Sequence, residues 1–375
     1  MRKLERIASL DAFRGAVIAL MMFVNFAGGD SNFPGWIGHR GWNDGHQGIG
    51  LADVVFPLFI FIMGAAAWLT IRSAKERELS AIVIIKHAIL RSCALYLCGT
   101  ILKCASIGFD QPLTWRVLLQ WDILQMLAWT GLMTKVFLLG PVSMRYSVIV
   151  LAIAWKWYLL GMMTFGDNPE HIWTPQTNAQ RYLIGEFGWF GVAFTQGAGA
   201  TALCMIGAEC ARMLFDSQDQ RTHAKRISIM GFVSCVIAIG WTFASPPIAM
   251  PLSKDFFTSS FVLLHAGIGA LLLALLWHLI DDRGAIKLMP LCVLGKHALA
   301  VYMTAELVWR IVLTRWKVAS PDGSVNTMLS GLKSHVGAWT TPPVASWITV
   351  AVYVTAWFIF AHIREKTRRG ANNPA

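Results

Sequence analysis

The strongest constraint on the fold is a series of apolar stretches that are each long enough to cross a lipid bilayer as a helix. A helix needs about 20 apolar residues to cross ~30 Å of hydrocarbon, and roughly ten segments meet this length. They centre near Leu20, Phe61, Leu95, Leu127, Ala152, Ala200, Val236, Leu272, Ala300 and Val352. The sequence therefore predicts an all-α, polytopic integral membrane protein with about ten transmembrane helices in one bundle.

The composition excludes a soluble globule. Hydrophobic residues make up 55% of the 375 residues and charged residues only 14%, too few to cover a surface in water. No sequence repeat stands out, so we expect residues 1–375 to form a single transmembrane domain. The first apolar stretch follows a basic start but lacks a small-x-small cleavage site, and we interpret it as a retained first span.

The excess of basic residues gives an orientation and not a partner. The formal net charge is +11, but lysine and arginine gather in the cytoplasmic loops of any polytopic protein, so no nucleic acid is indicated. Their distribution predicts that both termini are cytoplasmic and that the loop carrying His39 is extracytoplasmic. The seven cysteines lie in or beside apolar runs without metal-ligand spacing, so we expect neither a disulfide framework nor a metal site.

Polar side chains gather where the first predicted span ends and the second begins. Asn25 lies close to the outer boundary of the first span, His39 follows in a glycine-rich turn, and Asp53 stands in the first turn of the second span. An aspartate here marks either a helix cap or a functional cavity, and the sequence leaves both interpretations of Asp53 open.

Seven short motifs, in the same order, resemble those of one membrane family. They are SLDAFRG (9–15), MFVNFAGG (22–29), GHRGWN (38–43), LADVVFPLFIFIMG (51–64), DILQML (122–127), LSKDFFTSSFVLL (252–264) and LGKHALAVYM (294–303). Together they resemble the transmembrane acetyltransferases related to heparan-α-glucosaminide N-acetyltransferase, in a bacterial-type form. The resemblance implies acyl transfer from cytosolic acetyl-CoA to an amino sugar across the membrane.

The same resemblance implies roles for individual residues. His39 matches the active-site histidine of the family, Asn25 matches its asparagine in the F-V-N motif, and Trp42 and Asn43 fill the next matching positions. The chain departs from the family pattern in three places: an inserted DGHQGIG after Asn43, Met126 where arginine is common, and His297 in place of asparagine. The insertion predicts a change in acceptor choice, and the lost arginine predicts a weaker or relocated phosphate contact.

The chemistry of acyl transfer suits these residue types. Histidine titrates near neutral pH, so His39 could deprotonate the acceptor as a general base or attack the thioester as a nucleophile, and the sequence leaves both routes open. Asn25 could donate to the oxyanion of the tetrahedral intermediate or orient His39 or the acceptor. His46, without a family counterpart, is the alternative base if the insertion shifts the match.

Substrate contacts are predicted on both sides of the membrane. Arg14, at the cytoplasmic start of the first span, could bind the phosphates of coenzyme A or extend to lipid phosphate instead. Lys254, Ser259 and Ser260 could hold the acceptor or part of the cofactor, although an N-terminal helix cap explains the serines almost as well. Trp42, Asn43 and Asp53 complete the predicted binding residues.

The function predicted from these features is a transmembrane acetyltransferase that moves acetyl from acetyl-CoA to a sugar at the extracytoplasmic face of a bacterial inner membrane. The expected partners are a coenzyme A thioester, a sugar or glycan acceptor and membrane lipid, with a homodimer left open. A sugar permease on the same scaffold is the alternative, because polar residues near a cavity also suit translocation. A scaffold within an envelope-synthesis complex is a third interpretation.

Overall fold

The structure is a computed structural model that describes residues 7–40, 48–107, 114, 118–119, 121–162, 180, 183–184, 188–245, 248–284, 289–321 and 323–372. The helices of these residues are α1 (Ala8–Ala27), α2 (Leu51–Glu76), α3 (Ala81–Ile107), α4 (Ile123–Leu139), α5 (Val142–Trp157), α6 (Trp189–Phe194), α7 (Gln196–Phe215), α8 (Gln220–Thr242), α9 (Ser259–Leu276), α10 (Met289–Lys296), α11 (Ala298–Leu307), α12 (Met328–Gly337) and α13 (Pro342–Asn372).

Three helices continue directly into π-helical turns, and one hairpin interrupts the helical architecture. The π-helical turns are Tyr158–Met162 after α5, Trp277–Asp282 after α9 and Val308–Leu313 after α11. Between α11 and α12, β1 (Lys317–Ala319) pairs antiparallel with β2 (Val325–Thr327). The all-α prediction is confirmed apart from this short hairpin.

The number of membrane crossings differs from the predicted ten. Each predicted centre lies inside a helix, but only seven helical segments of the described residues are long and apolar enough to cross a bilayer. The number rises to eight if α10 and the helix after it count as one bent crossing. Helices α4 and α5 have 17 and 16 residues, which at 1.5 Å per residue gives about 25 Å. The count of ten is therefore not confirmed.

Side-chain caps define where several of the helices begin. The Asp122 carboxylate accepts a hydrogen bond from the backbone N–H of Ile123 at the start of α4. Asp219 accepts from Thr222 N–H at the start of α8, and the Thr258 hydroxyl accepts from Phe261 N–H at the start of α9. These oxygens satisfy N–H groups that have no partner within the helix.

Glycine lets the central helices approach at backbone distance. A Cβ on Gly64 of α2 would overlap a carbonyl oxygen of α7, and a Cβ on Gly207 of α7 would overlap one of α2. Gly15 of α1 and Gly295 of α10 form a second reciprocal pair of the same kind. Small residues at such crossings allow the close van der Waals packing that holds membrane helices together. Helices α1, α2, α7 and α10 therefore form closely packed walls around the centre of the protein.

The long apolar segment near Gly295 is bent. Helices α10 and α11 meet at His297 with an angle of 76° between them. His297 Nε2 lies 3.1 Å from a carboxylate oxygen of Glu365 on α13, which holds the bend against the last helix. The bend places Lys296 and Tyr302, on either side of it, against the same central cavity.

A partly buried ion pair fastens the loop after α1 to α12 and α13. The carboxylate of Asp30 accepts hydrogen bonds from Lys333 Nζ at 2.6 Å and from the Ser346 hydroxyl at 2.7 Å. Burial alone would raise the pKa of Asp30, but these bonds and one from the backbone N–H of Asn32 outweigh burial and lower the pKa to about 2. The loop that leads from α1 to His39 is thereby anchored at its beginning.

Candidate active site

A cavity of about 440 Å³ lies between α1, α2, α3, α4 and the bent pair α10–α11. Its lining residues recur every third or fourth position along α2, from Ala52 to Thr70. These two residues are separated by about 18 positions, so the cavity follows the helix for about 27 Å. This length is close to the thickness of the hydrocarbon core of a bilayer.

His39 and Asp53 form a hydrogen-bonded pair at one end of this cavity. Asp53 Oδ1 lies 2.7 Å from His39 Nδ1, and its Oδ2 accepts the backbone N–H groups of Arg40 at 3.0 Å and Gly50 at 2.9 Å. The Asp53 side chain is only 1% exposed, whereas that of His39 is 55% exposed. Asp53 therefore caps α2 with one oxygen and contacts the histidine with the other.

Two side chains that favour opposite tautomers contact His39 Nδ1. An ionised carboxylate can only accept a hydrogen bond, so Asp53 favours the tautomer with the proton on Nδ1, whereas the Lys254 ammonium, 2.9 Å from the same nitrogen, can only donate and favours the other tautomer. When Nδ1 donates to Asp53, Nε2 keeps its lone pair. A carboxylate in this position orients the ring and stabilises the imidazolium when Nε2 takes up a proton.

Lys254 brings a positive charge to the same pair. Its Nζ lies 2.9 Å from His39 Nδ1 and 3.5 Å from Asp53 Oδ1. Burial lowers the pKa of Lys254, while the charge of Asp53 acts in the opposite direction and favours the ammonium. The ammonium offsets part of the cost of the buried carboxylate, which would otherwise be several kcal/mol.

The segment that carries Lys254 is fixed by a buried hydrogen bond on its C-terminal side. The fully buried Lys156 of α5 donates from Nζ to the carbonyl of Phe256 at 2.6 Å. The next residue, Phe257, has a φ of 52°, a left-handed conformation that is unusual for a bulky side chain. A backbone held in this way limits the positions that the Lys254 side chain can reach.

Asn25 is held by a carboxylate on the bent pair α10–α11. Its Nδ2 donates to Glu306 Oε1 at 2.9 Å, and the other oxygen of Glu306 accepts from Arg310 Nε at 3.0 Å. An amide nitrogen has two hydrogens, so one fixes the side chain while the second can donate to a ligand. Asn25 lines the same cavity as His39 and Lys254.

Four cationic side chains line the part of the cavity that lies away from His39. They are Arg14 of α1, Arg91 of α3, Lys135 of α4 and Lys296 of α10. Arg14 and Asn25 are about 11 residues apart on α1, which separates them by about 16 Å. The positive charges and the His39 pair therefore lie toward opposite ends of one continuous cavity.

The section between the two polar ends is apolar. Its lining side chains include Ile18 and Met21 of α1, Phe59 and Ile62 of α2, and Leu127 of α4. A section with these walls favours a flexible, weakly polar ligand segment over a hydrated ion.

The structure brings most of the predicted site residues together. Arg14, Asn25, His39 and Lys254 all line the cavity, and Asp53 contacts His39 directly. Trp42 and Asn43, like His46, lie outside the described residues.

Ser259 and Ser260 are the exception among the described residues that the sequence singles out. Both are fully buried and neither is among the residues that line the cavity. Ser259 donates to the carbonyl of Ile153 at 2.8 Å, and Ser260 donates to that of Pro251 at 3.0 Å. Their hydroxyl groups stabilise the start of α9, and their assignment as ligand contacts stays a prediction.

Sequence reasoning missed several residues that line or support the cavity. Arg91, Lys135 and Lys296 line it, and Glu306 holds Asn25. Lys135 lies within the apolar helix α4. The available signal was a charged residue inside an otherwise apolar segment, because such residues are costly in a membrane and face a cavity or a partner.

The chain is similar to one family model and to two N-acetyltransferases. The model of a family described as "Domain of unknown function (DUF5009)" matches residues 6–102, which include α1, His39, Asp53 and Arg91. The chain is 22% identical to mouse heparan-alpha-glucosaminide N-acetyltransferase over 88% of its own length and 57% of the mouse protein. It is 36% identical to the human protein of the same name over 29% of its own length and 15% of the human protein. The chain thus spans little more than half the length of the mouse protein. The resemblance inferred from the motifs is confirmed, and the chain is similar to heparan-alpha-glucosaminide N-acetyltransferases over most of its length.

Proposed function

We propose that the chain is a membrane-embedded acetyltransferase that moves acetyl from acetyl-CoA to a sugar, either an amino sugar or an envelope glycan, on the side of the membrane that carries His39. The observation that carries the proposal is the single cavity with four cations toward one end and a histidine–aspartate pair at the other. The name of the relatives, which specifies acetyl transfer to a glucosaminide nitrogen, supports the same chemistry.

The cationic end suits the phosphates of coenzyme A. Arg14, Arg91, Lys135 and Lys296 supply donors for charge-assisted hydrogen bonds, which are about twice as strong as neutral ones. The apolar section between Phe59 and Leu127 then suits the pantetheine arm. A donor bound in this orientation would present its thioester near His39 while its nucleotide stays at the basic end.

The histidine end suits acyl transfer. An acceptor amine must lose a proton to attack the thioester carbonyl, and His39 Nε2 has the free lone pair that accepts it. Attack forms the new bond to the carbonyl carbon, the carbon–sulfur bond breaks, and coenzyme A leaves as the thiolate. The second N–H of Asn25 is the donor for the transient oxyanion, an interaction that is typically worth about 2.7–4 kcal/mol.

A covalent route uses the same residues. His39 Nε2 attacks the thioester first, and the acceptor then attacks the resulting acetyl-imidazole. Chemical quenching during turnover separates the two routes, because only the covalent one leaves labelled acetyl on the protein when the acceptor is withheld.

Transfer of radiolabel from acetyl-CoA to an amino sugar tests the proposal with purified protein in liposomes. We expect label on the acceptor with the natural chain and none with His39→Ala, while His335→Ala, which removes an exposed histidine of α12 outside the cavity lining, stays active. Full activity of a folded His39→Ala variant would exclude the mechanism. Passage of unmodified sugar into the liposomes without acetylation would instead support the permease.

A further inference from the structure

A second cleft lies at the opposite end of α9 from the proposed active site. It has a volume of about 660 Å³ and opens between the start of α8 and the end of α9 with its π-helical turn. Helix α9 begins just after Lys254 and, with that turn, has 24 residues, so Lys254 and the rim of the cleft are separated by about 36 Å along the helix. The cleft is therefore distinct from the catalytic cavity and faces the surface whose basic loops predict the cytoplasmic side.

The rim of this cleft carries an excess of positive charge. Arg221, Lys225 and Arg283 line it together with one carboxylate, that of Asp282. Asp282 is already used on both oxygens, by Arg221 Nε at 2.8 Å and by His278 Nδ1 at 3.0 Å. No carboxylate among the described residues lies within 4.0 Å of Lys225 or Arg283.

The contact with Asp282 orients the Arg221 guanidinium and uses only one of its N–H groups. Its side chain is 79% exposed, and Asp282 accepts only from Nε–H, so the terminal NH₂ groups can still donate to a ligand. A planar guanidinium matches the oxygens of a phosphate better than a lysine ammonium does.

Below the charged rim, the walls of the cleft are apolar and partly exposed. Leu271, Ala274 and Leu275 line it, and Leu275 is 51% exposed although it lies in a strongly apolar helix. Leu271 and His278 are about seven residues apart, so the apolar wall extends about 10 Å below the rim. A soluble phosphate compound has no use for such a wall, whereas an acyl chain does.

The two helices that form the walls are held rigidly against each other. A Cβ on Gly231 of α8 would crowd the carbonyl oxygen of Gly267 of α9, and the reverse is also true. Ser234 of α8 adds a hydrogen bond to the carbonyl of Leu263 at 2.7 Å. The cleft is thus a preformed gap at the end of a close helix crossing.

We propose that this cleft binds one anionic phospholipid of the adjacent leaflet, with its phosphate between Arg221, Lys225 and Arg283 and an acyl chain along Leu271 and Leu275. Basic pockets between transmembrane helices at the cytoplasmic side suit acidic headgroups, and each nearby cation contributes about 1 kcal/mol to the attraction. The surplus of cations on the rim and the exposed apolar wall below it together select a charged lipid over a zwitterionic one.

Native mass spectrometry of the full chain in detergent, with added dioleoylphosphatidylglycerol or dioleoylphosphatidylcholine, tests the proposal. We expect one phosphatidylglycerol to remain bound selectively, and the double variant Lys225→Gln/Arg283→Gln to weaken its binding about 25-fold, roughly fivefold per cation. The matched control Arg226→Gln/Lys366→Gln removes two exposed cations of α8 and α13 that do not line the cleft, and it should bind as the natural chain does.

Three outcomes would overturn the proposal. In the first, the double variant binds the lipid as well as the natural chain does. In the second, the control pair loses as much binding as the double variant. In the third, inorganic phosphate binds as well as the lipid does. The first places the lipid elsewhere, the second reduces the effect to general surface charge, and the third makes free phosphate the ligand. The single variants Lys225→Gln and Arg226→Gln repeat the comparison with neighbouring residues if a double variant unfolds.

Discussion

His39 Nδ1 lies 2.7 Å from Asp53 Oδ1, although one residue belongs to a loop and the other to the first turn of α2. The carboxylate is fixed by two backbone N–H groups, so it is the ring that must conform to it. The orientation of the proposed base therefore depends on how α2 begins.

Replacing Asp53 with asparagine should reduce acetyl transfer at least 100-fold. The amide can donate to Nδ1, which favours the tautomer with the proton on Nε2 and removes the lone pair that the reaction needs. The measurement is kcat for acetyl transfer from acetyl-CoA across a range of pH. Asp219→Asn is the matched control, because it changes an aspartate at the N-cap of α8, where asparagine caps equally well. Activity near that of the natural chain would show that Asp53 acts only as a cap.

The charge of Lys254 should set the alkaline limit of activity. Its pKa is lowered by burial, so the ammonium loses its proton at a lower pH than an exposed lysine would. If the charge beside His39 is needed, activity falls as the pH rises through that pKa. In Lys254→Arg, which keeps its charge at all these pH values, the fall should move to higher pH, and Lys254→Met should be at least tenfold less active throughout. A profile from pH 7 to 11 that is identical in the natural chain and Lys254→Arg would contradict this role.

Removal of a cation at the basic end should weaken binding of the donor without changing the chemical step. We expect Arg91→Gln and Lys135→Gln each to raise KM for acetyl-CoA about tenfold or more, since a hydrogen bond to a charged group is worth about 1.5–3 kcal/mol. Lys86→Gln, an exposed position on α3 outside the cavity lining, should leave KM unchanged. A fall in kcat at constant KM would place these cations at the reacting atoms instead.

Filling the apolar section should block turnover without unfolding the protein. Gly131 lines the cavity on α4, and a Cβ there would lie 3.4 Å from the sulfur of Met63, an ordinary contact. Gly131→Ala should be active and up to about 1 kcal/mol more stable, because glycine is a poor helix former. Gly131→Phe should keep its thermal stability and lose acetyl transfer. Turnover of a folded Gly131→Phe variant at the natural rate would show that the donor takes another path.

The Asp30–Lys333 pair should make stability depend on pH at the acidic end. The pKa of Asp30 is lowered to about 2 from the ordinary value of 3.8, and the bonds to Lys333, Ser346 and Asn32 that lower it together stabilise the folded chain by on the order of 1 kcal/mol after allowance for solvent screening. A lowered folded pKa means that this contribution is complete above about pH 4 and is lost as the pH falls through about 2. Thermal unfolding of the natural chain and Asp30→Asn should differ clearly at pH 6 and converge near pH 2. A constant difference across that range would assign the effect of the substitution to packing.

The sequence predicted the helices better than their use of the membrane. Apolar length located every predicted centre inside a helix, because burial in hydrocarbon leaves few alternatives to helical backbone. The same criterion gave ten crossings, a count that is not confirmed, since α4 has only 17 residues and α5 with its π-helical turn is not among the helices apolar enough to cross. Apolar length reports that a segment avoids water, and it does not report whether protein or lipid covers that segment.

The candidate site was predictable in its members and not in its contacts. His39, Asp53 and Lys254 were each singled out, yet Lys254 is separated from His39 by 215 positions, and only the folded chain shows that they meet. Arg91 and Lys135 were not singled out as site residues, because each is a single charge within a long apolar stretch. Ser259 and Ser260 show the opposite difficulty, since a hydroxyl at a helix start has the same sequence signature whether it caps, packs or binds.

The cavity follows α2 from Ala52 to Thr70 within one uninterrupted helix. On the proposed function, donor and acceptor can enter from opposite sides and meet while every helix keeps its place, so catalysis requires no alternating-access cycle. On this proposal, the bound acetyl-CoA itself fills the cavity and separates the two compartments, and no helix has to move to close it.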